Sequence, residues 1–245
     1  MVAFDGTTFT VPDTEENDEE FGRPGSGRGE GKAAYPQVQA ACLVELGTHS
    51  VFDARVEPYR VSENKLIEEI FSALRPGMLA LADRGVYSFQ RWIRAVDTGA
   101  DLPWRVASNL ILCPVEHLVD GSYIAEVIPP KKSGAVAFRL RVIEYRLPGV
   151  QGGKDELYRL VTMILDPALA SAKDLALLYH ERWDVEGSFK QIKSVQLNTE
   201  RIFRSKSPDG VRQEFWAHLA VHYATMRIVV DARRSSETGP RPNLA

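Results

Sequence analysis

Hydrophobic residues near the start of the chain follow first a strand-like and then a helix-like spacing. Apolar segments at Val2–Phe9 and Val38–Leu46, followed by an alternating segment at Val51–Glu57, predict three strands, the last two joined as a hairpin. From Ser62 onward apolar residues recur at helical spacing until Pro76, where proline and glycine end the pattern. The chain is therefore predicted to open with three strands and a helix.

The next apolar segment leads directly into an acidic residue. Met78–Ala82 predicts a short buried strand that delivers Asp83 at its C-terminal end, and Phe89 and Trp92 mark a helix after it. From residue 102 to residue 165 the pattern changes to short segments rich in Val, Ile and Tyr, interrupted by proline and glycine. This change predicts an all-β insertion.

Two helices are predicted after the insertion. Ser171 and Asp174 have the spacing of a capping box, and helical periodicity continues to about residue 195. A further helix covers about residues 210–231, and the tail from Arg233 is expected to fray.

As a whole, the pattern predicts an α/β protein in which a mixed sheet with flanking helices is interrupted by a β-rich insertion. We expect residues 1–100 and 166–245 to form the two parts of one core, and residues 101–165 to form the insertion. A chain of 245 residues is long enough to bury such a core.

In the segment Val11–Pro36 the apolar residues have neither strand-like nor helix-like spacing. It is acidic in its first half and rich in glycine in its second, a composition that does not pack into a core. We therefore expect a mobile connector near a site. Its glycines are not followed by the Lys and Ser or Thr of a phosphate-binding loop, so they do not predict nucleotide binding.

Composition and charge argue against two classes of protein, nucleic-acid coat proteins and membrane proteins. The formal net charge of −3 does not predict a simple nucleic-acid coat protein, although residues 171–245 carry twelve basic and nine acidic side chains. No apolar run approaches the roughly 20 residues of a membrane span, and the first residues lack a signal-peptide pattern. We expect a cytoplasmic, nucleoid-associated protein with no membrane partner.

Cysteine and histidine do not indicate a zinc site. Cys42 and Cys113 lie far apart in apolar surroundings, and we expect both to be buried packing thiols. His218 and His222 are one helical turn apart, but without a third ligand we interpret them as packing residues.

The helix after the insertion carries the most informative residues. Tyr179, Arg182, Glu186 and Lys193 fall within about 60° of one another on the helix surface and form one polar stripe. An apolar stripe lies directly beside it, so we expect the polar stripe at the edge of the core. A carboxylate flanked by a guanidinium, an ammonium and a phenol can bind a divalent ion and phosphate oxygens. The alternative is an ordinary surface helix with an i, i+4 pair between Arg182 and Glu186.

The spacing Tyr, two residues, Arg, three residues, Glu, six residues, Lys resembles the YREK signature of the DDE transposases of insertion-sequence family four. The segment Ala3–Thr7, with Asp5, resembles the first acidic motif of that family, and Leu81–Tyr87, with Asp83, resembles the second. Arg204–Pro208 and Gly210–Glu214 are also similar to family members. The resemblance covers nearly the whole chain, with the motifs in the family order.

This resemblance implies a ribonuclease-H-like fold and a DNA transposase catalytic core that cleaves and transfers strands at insertion-sequence ends. Asp5, Asp83 and Glu186 would bind two Mg²⁺ or Mn²⁺ ions about 4 Å apart. The same ions would serve hydrolysis by water and then attack by the freed 3′-hydroxyl.

By the same resemblance, a second set of residues would hold DNA phosphates beside the cut: Tyr179, Arg182, Lys193 and Arg84. The implied partners are double-stranded DNA, as transposon ends and target, and further copies of the chain in an active homo-oligomer. Charge would dominate this contact, which makes binding dependent on salt.

The chain departs from the family at its start. Family members usually carry a region before the first Asp that helps to recognise transposon ends, and almost none precedes Asp5. We therefore expect an N-terminally truncated member. Two alternatives remain open: a catalytically silent remnant that binds DNA or pairs with a full-length transposase, and a ribonuclease-H-like nuclease that acts on other nucleic acids.

Overall fold

The computed structural model describes residues 1–25, 34–129, 137–147, 156–182 and 202–238. The strands are β1 (Val2–Thr10), β2 (Gln37–Glu45), β3 (Val51–Pro58), β4 (Ala80–Leu81), β5 (Trp104–Arg105), β6 (Pro114–His117), β7 (Tyr123–Val127), β8 (Phe138–Leu147) and β9 (Glu156–Thr162). The helices are α1 (Glu15–Phe21), α2 (Glu63–Ile70), α3 (Phe89–Val96), α4 (Ala172–Glu181) and α5 (Pro208–Thr238), and a 3₁₀ turn, Phe71–Ala73, extends α2.

The first sheet has the strand order β3-β2-β1-β4 and is mixed, as the sequence predicted. β1, β2 and β3 pair antiparallel, whereas β4 lies parallel to β1. Successive residues of β2 point into two separate cores, with Leu43 in one cluster and Cys42 in the other. This burial on both faces explains why β2 is a nearly continuous apolar run.

Helices cover both faces of this sheet. Leu66 of α2 and Trp92 of α3 belong to the cluster on one face, and Phe21 of α1 and Phe215 of α5 belong to the cluster on the other. The result is a helix–sheet–helix arrangement, the usual way in which a sheet buried on both faces is stabilised.

The structure corrects the prediction of an unpacked connector at Val11–Pro36, because α1 lies inside it. The Thr14 side chain accepts a hydrogen bond from the Asn17 backbone and caps the helix, and Phe21 at its end is only 1% exposed. A single large aromatic residue therefore anchors this acidic helix on the core, which the composition of the segment did not indicate.

The second sheet lies within residues 104–162 and is antiparallel, with the order β5-β9-β8-β7-β6. Trp104 attaches it to the first sheet: the buried indole donates a hydrogen bond to the Ala80 carbonyl at 3.1 Å, and the Arg105 amide donates to the Ala82 carbonyl at 3.0 Å. Leu160 and Leu175 belong to a third cluster, in which α4 covers the other face of this sheet.

The two late helices begin close to where the sequence predicted. The Ser171 hydroxyl accepts a hydrogen bond from the Asp174 amide at 3.1 Å, which confirms the predicted cap of α4. Residues 183–195, the rest of the predicted helix, lie outside the described residues. α5 continues to Thr238, so the prediction that the chain frays from Arg233 was wrong for the first residues of that tail. No helix in the described ranges has the length and hydropathy to cross a membrane.

Cysteine and histidine behave only partly as predicted. Cys42 is buried, but Cys113 is exposed, so the prediction of two buried thiols was wrong for the second. His222 is buried and its Nε2 contacts the His49 carbonyl at 2.8 Å, while His218 stacks on Phe203. Both histidines are packing residues, as expected.

Candidate active site

Asp5 and Asp83 reach the same edge of the first sheet because β1 and β4 run parallel. Val2 pairs with Ala80 and Ala3 with Leu81, so the register, continued by two residues, sets Asp5 beside Asp83. The strand pairing thus brings together two carboxylates that are far apart in sequence. The Asp5 carboxylate accepts a hydrogen bond from the next amide in the chain at 3.0 Å.

Both carboxylates line one cavity of about 240 Å³, which we call the acidic cavity. Its lining residues are Phe4, Asp5, Glu63, Asn64, Asp83, Gly85, Val86 and Arg182. Of the predicted site residues, Asp5, Asp83 and Arg182 therefore meet here. Among the described residues, three acidic side chains and one basic side chain line the cavity, so these residues give it excess negative charge.

Asp83 also contacts two residues from outside the first sheet. The Tyr179 hydroxyl donates a hydrogen bond to Asp83 Oδ1 at 3.3 Å, and Arg105 Nη1 lies 3.7 Å from the same oxygen. The Asp83 side chain is 42% exposed, whereas that of Arg105 is 11% exposed. Asp83 thus lines the cavity with two other carboxylates and also contacts a phenol and a guanidinium.

Tyr179 and Arg182 are more deeply buried than the sequence indicated. Tyr179 is 0% and Arg182 7% exposed, and with Leu175 they form the face of α4 that packs inward. The apolar stripe beside them was expected to face the core, but Leu178, the member of that stripe within the described residues, is only partly buried. Burial raises the pKa of the Tyr179 phenol well above its usual range, and the charge of Arg182 opposes this shift.

The Arg182 guanidinium, which lines the acidic cavity, has a hydrogen-bond donor with no acceptor among the described residues. Its guanidinium carbon lies 5.7 Å from the centre of the Tyr179 ring, and its Nε is buried with no hydrogen-bond partner among the described residues. Buried N–H groups are normally satisfied, and an exception points to a strained or functional position. A guanidinium is suited to phosphate oxygens.

The remaining predicted site residues do not join this group in the described structure. Glu186 and Lys193 lie outside the described residues, within 183–201. Arg84 is exposed and directly follows Asp83, but it is not among the residues that line the acidic cavity.

Sequence reasoning missed Glu63. It is the first residue of α2, and its side chain is exposed to solvent although it lines the acidic cavity. Partial burial and then the charge of Asp83 raise the pKa of its carboxyl. An acidic residue in the first turn of a helix is common, so its position in the sequence did not distinguish it.

Sequence reasoning also missed Arg105. Its guanidinium carbon lies 4.2 Å above the Tyr158 ring, and Tyr158 in turn contacts His180. Burial, and then the charges of Arg105 and Arg182, lower the pKa of His180. Arg105 belongs to a β strand that is distant from Asp83 in sequence, so no local spacing could have found it.

The donor chemistry of the cavity fits a hard divalent cation. Asp5, Asp83 and Glu63 offer carboxylate oxygens, the ligands that Mg²⁺ and Mn²⁺ prefer. Within the described ranges, however, no three His, Cys, Asp or Glu side chains are grouped closely enough to hold one ion by themselves. A complete centre there would need further ligands, including water.

Comparison with known proteins gives consistent results. A family model described as "Transposase DDE domain" matches residues 1–223. Transposase InsG for insertion sequence element IS4, from Escherichia coli (strain K12), is 27% identical over 229 residues, which cover 91% of this chain and 50% of that protein. The cryo-EM structure of the piggyBac transposase synaptic complex with hairpin DNA has a TM-score of 0.58 at 10% identity, covering 98% of this chain and 48% of that chain.

The chain spans about half the length of these two proteins. At 10% identity the structural likeness shows the fold alone. The family match, by contrast, covers most of the chain, including the Asp5 and Asp83 motifs and the sequence from Tyr179 to Lys193. The chain therefore belongs to the DDE transposases, the family that its ordered motifs resembled.

Proposed function

We propose that this chain is the catalytic core of a DNA transposase that cleaves and joins strands at insertion-sequence ends. The observation that carries the proposal is the meeting of Asp5 and Asp83 in one cavity with the buried guanidinium of Arg182. Carboxylates that can hold a divalent ion, beside a guanidinium that can hold a phosphate oxygen, suit metal-dependent phosphodiester cleavage. Membership of the DDE transposases supports it.

The proposed fold is a ribonuclease-H-like mixed sheet. In support, β1 to β3 form an antiparallel series, β4 pairs parallel with β1, and α4 packs beside Asp83. In the same proposal residues 1–100 and 166–245 form the core, and residues 101–165 are an insertion. The separate order of the second sheet is consistent with that division.

For the metal centre we propose two Mg²⁺ or Mn²⁺ ions, held by Asp5, Asp83 and Glu186. Glu186 follows Arg182 by one helical turn in the sequence, which supports its approach to the same site. Bound divalent ions supply positive charge to the scissile phosphate and lower the pKa of a bound water. The paired strands fix Asp5 and Asp83 in place before any ligand binds.

For DNA binding we propose phosphate contacts from Tyr179, Arg182, Lys193 and Arg84, and an active form that is a homo-oligomer on double-stranded DNA. The buried Nε of Arg182 supports this, because a phosphate oxygen would accept the hydrogen bond that no described residue accepts. Exposure of Arg84 beside Asp83 leaves its guanidinium accessible to a DNA backbone.

A nicking assay tests the proposal. A short duplex that carries candidate terminal repeats is incubated with Mg²⁺ or Mn²⁺ and the wild-type chain, Asp83→Asn, Glu186→Gln or the control Glu181→Gln, which changes an exposed residue of α4. We expect the first two variants to nick at least about 100-fold more slowly, while DNA affinity measured by anisotropy stays nearly unchanged.

The outcomes separate the alternatives. Equal nicking by wild type and Glu186→Gln would refute the role of Glu186. DNA binding by the wild type without any nicking would instead identify a catalytically silent remnant. Nicking that is independent of the terminal repeats would favour a ribonuclease-H-like nuclease.

A further inference from the structure

Glu63 occupies space that the first strand leaves open. A Cβ atom built on Gly6 would lie 2.2 Å from Glu63 Cδ and 2.4 Å from Glu63 Cγ. The Glu63 side chain therefore lies directly against the backbone next to Asp5. Any side chain at position 6 would push it aside.

The contact with Glu63 explains the glycine at position 6, because the backbone conformation there does not require glycine. Gly6 lies inside β1 and does not have the positive φ found at Gly22, Gly77 and other glycines. Glycine in the interior of a strand weakens the strand, so it usually marks a close approach of another group. Here that group is the carboxyl end of Glu63.

The rest of α2 holds Glu63 in this place. Leu66, Ile67 and Ile70 are fully buried against the first sheet, which fixes the axis of the helix. The first turn then projects over Gly6, and both Glu63 and Asn64 line the acidic cavity. An acidic residue that served only the helix dipole would need no glycine beneath it.

The charges around the cavity are unbalanced. Asp5, Glu63 and Asp83 face a space of about 240 Å³, and Arg182 is the single cation among the described lining residues. Like charges that share a small, partly desolvated space repel one another, and a divalent cation between them removes that repulsion.

We propose that Glu63 is a further carboxylate of the divalent-cation centre, which it joins by accepting a hydrogen bond from a cation-bound water. This inference rests on the proposed metal-dependent function. Contact through water agrees with the separation of the three carboxylates, and Mg²⁺ commonly keeps several of its waters in proteins. Glu63 is thus a positioning residue that raises cation affinity.

The test measures cation binding rather than activity. Titration calorimetry with Mn²⁺ is carried out on the metal-free chain as wild type, Glu63→Gln, Gly6→Ala and Glu69→Gln. Residues that act on a metal through its ligands change affinity by about 10- to 100-fold. We expect Glu63→Gln to raise the Kd for Mn²⁺ about 10-fold. Glu69→Gln, an exposed change on the same helix, should leave it unchanged.

Gly6→Ala provides a second variant that keeps all charges. The atoms in its way are the flexible end of Glu63, so the strand can stay folded while the carboxylate is displaced. We expect this variant also to weaken Mn²⁺ binding. Thermal melts in EDTA serve as a check on folding, and loss of one of three facing carboxylates should not lower the melting temperature.

The outcomes distinguish failure of the proposed role of Glu63 from failure of the proposed metal centre. If Asp83→Asn weakens Mn²⁺ binding while Glu63→Gln binds like wild type, the role of Glu63 is wrong and the proposed function stands. If the wild type does not bind Mn²⁺, or if Asp5→Asn and Asp83→Asn bind it equally well, the metal centre itself is refuted, and the role of Glu63 with it.

Discussion

Two buried arginines, Arg141 in the second sheet and Arg182 at the acidic cavity, are used in opposite ways. Arg141 is 0% exposed, and its guanidinium donates to the Ser122 hydroxyl at 2.8 Å, to the Ala170 carbonyl at 2.7 Å and to the Asp120 carboxylate. Arg182 is 7% exposed, and its Nε has no partner among the described residues. A satisfied buried guanidinium holds a fold together, whereas an incompletely satisfied one beside a cavity is available to a ligand.

The two regions are connected through α4. Asp120, the partner of Arg141, also accepts a hydrogen bond from the Ala172 amide at 2.7 Å, at the first turn of that helix. The C-cap of the same helix is Arg182, ten residues later, and Arg182 lines the cavity. The satisfied arginine therefore helps to position the helix that presents the other one.

The largest effect is expected from Arg141→Met, because it leaves the Asp120 carboxylate without its buried partner. Removal of one member of a buried ion pair destabilises a protein by about 3–5 kcal/mol. We expect a loss of that size in urea unfolding followed by circular dichroism. Arg139→Met, an exposed change on the same strand, is the control and should have little effect. Equal stability of the two variants would remove the distinction between the two arginines.

A smaller effect, and of another kind, is expected from Arg182→Met. Stability should change by less than about 1 kcal/mol, because the Nε of Arg182 donates no hydrogen bond to a described residue that the substitution would remove. DNA affinity should fall by about 10-fold at low salt, and the slope of log K against log salt should decrease by about 0.9, as for the loss of one phosphate contact.

The matched control for that experiment is Arg94→Met. Arg94 is an exposed arginine that pairs with Glu68, and its loss removes the same charge from the chain away from the cavity. If both variants reduce the slope of log K against log salt equally, Arg182 contributes only nonspecific positive charge to DNA binding. Its buried position would then have no effect on DNA affinity. If only Arg182→Met lowers it, the contact is specific to the site.

The difference between the two arginines also explains what the sequence could predict. Asp5, Asp83, Tyr179 and Arg182 were predicted because each belongs to a short local motif, and strand and helix spacing placed Asp5 on β1 and Tyr179 on α4. Arg141 belongs to no such motif. Its role depends on Asp120 and on Ala170, which approach it only after the sheet and α4 have packed.

Glu63 and Arg105 were not predicted from the sequence because, like Arg141, they depend on tertiary contacts. Glu63 is at the site because α2 packs its first turn over Gly6, and Arg105 is there because Trp104 fixes its strand to β4. These are tertiary contacts between elements that are distant in sequence. The error at α1 was different: the segment was judged by its average composition, and the burial of Phe21 outweighed that average.

The smallest expected effect is the dependence of stability on pH. It tests most directly the ion pair between Arg141 and Asp120. Burial pushes the pKa of Asp120 upward, but hydrogen bonds from Ser122 and Ala172 and the charge of Arg141 hold it below its ordinary value of 3.8. A depressed pKa in the folded state means that Asp120 stabilises the fold above about pH 4 and that this contribution is lost as pH falls below that value.

Thermal melts of wild type and Asp120→Asn, taken from about pH 7 down to about pH 3, measure this contribution directly. The wild type should be the more stable protein near neutral pH, because the charged carboxylate keeps its hydrogen bonds and its pairing with Arg141. The two melting curves should approach each other in acid, as Asp120 becomes protonated and its pairing is lost. Curves that stay parallel over the whole range would mean that Asp120 has the same pKa in the folded and unfolded chain. In that case Arg141 would hold α4 by hydrogen bonds to carbonyl and hydroxyl groups, and charge would play no part.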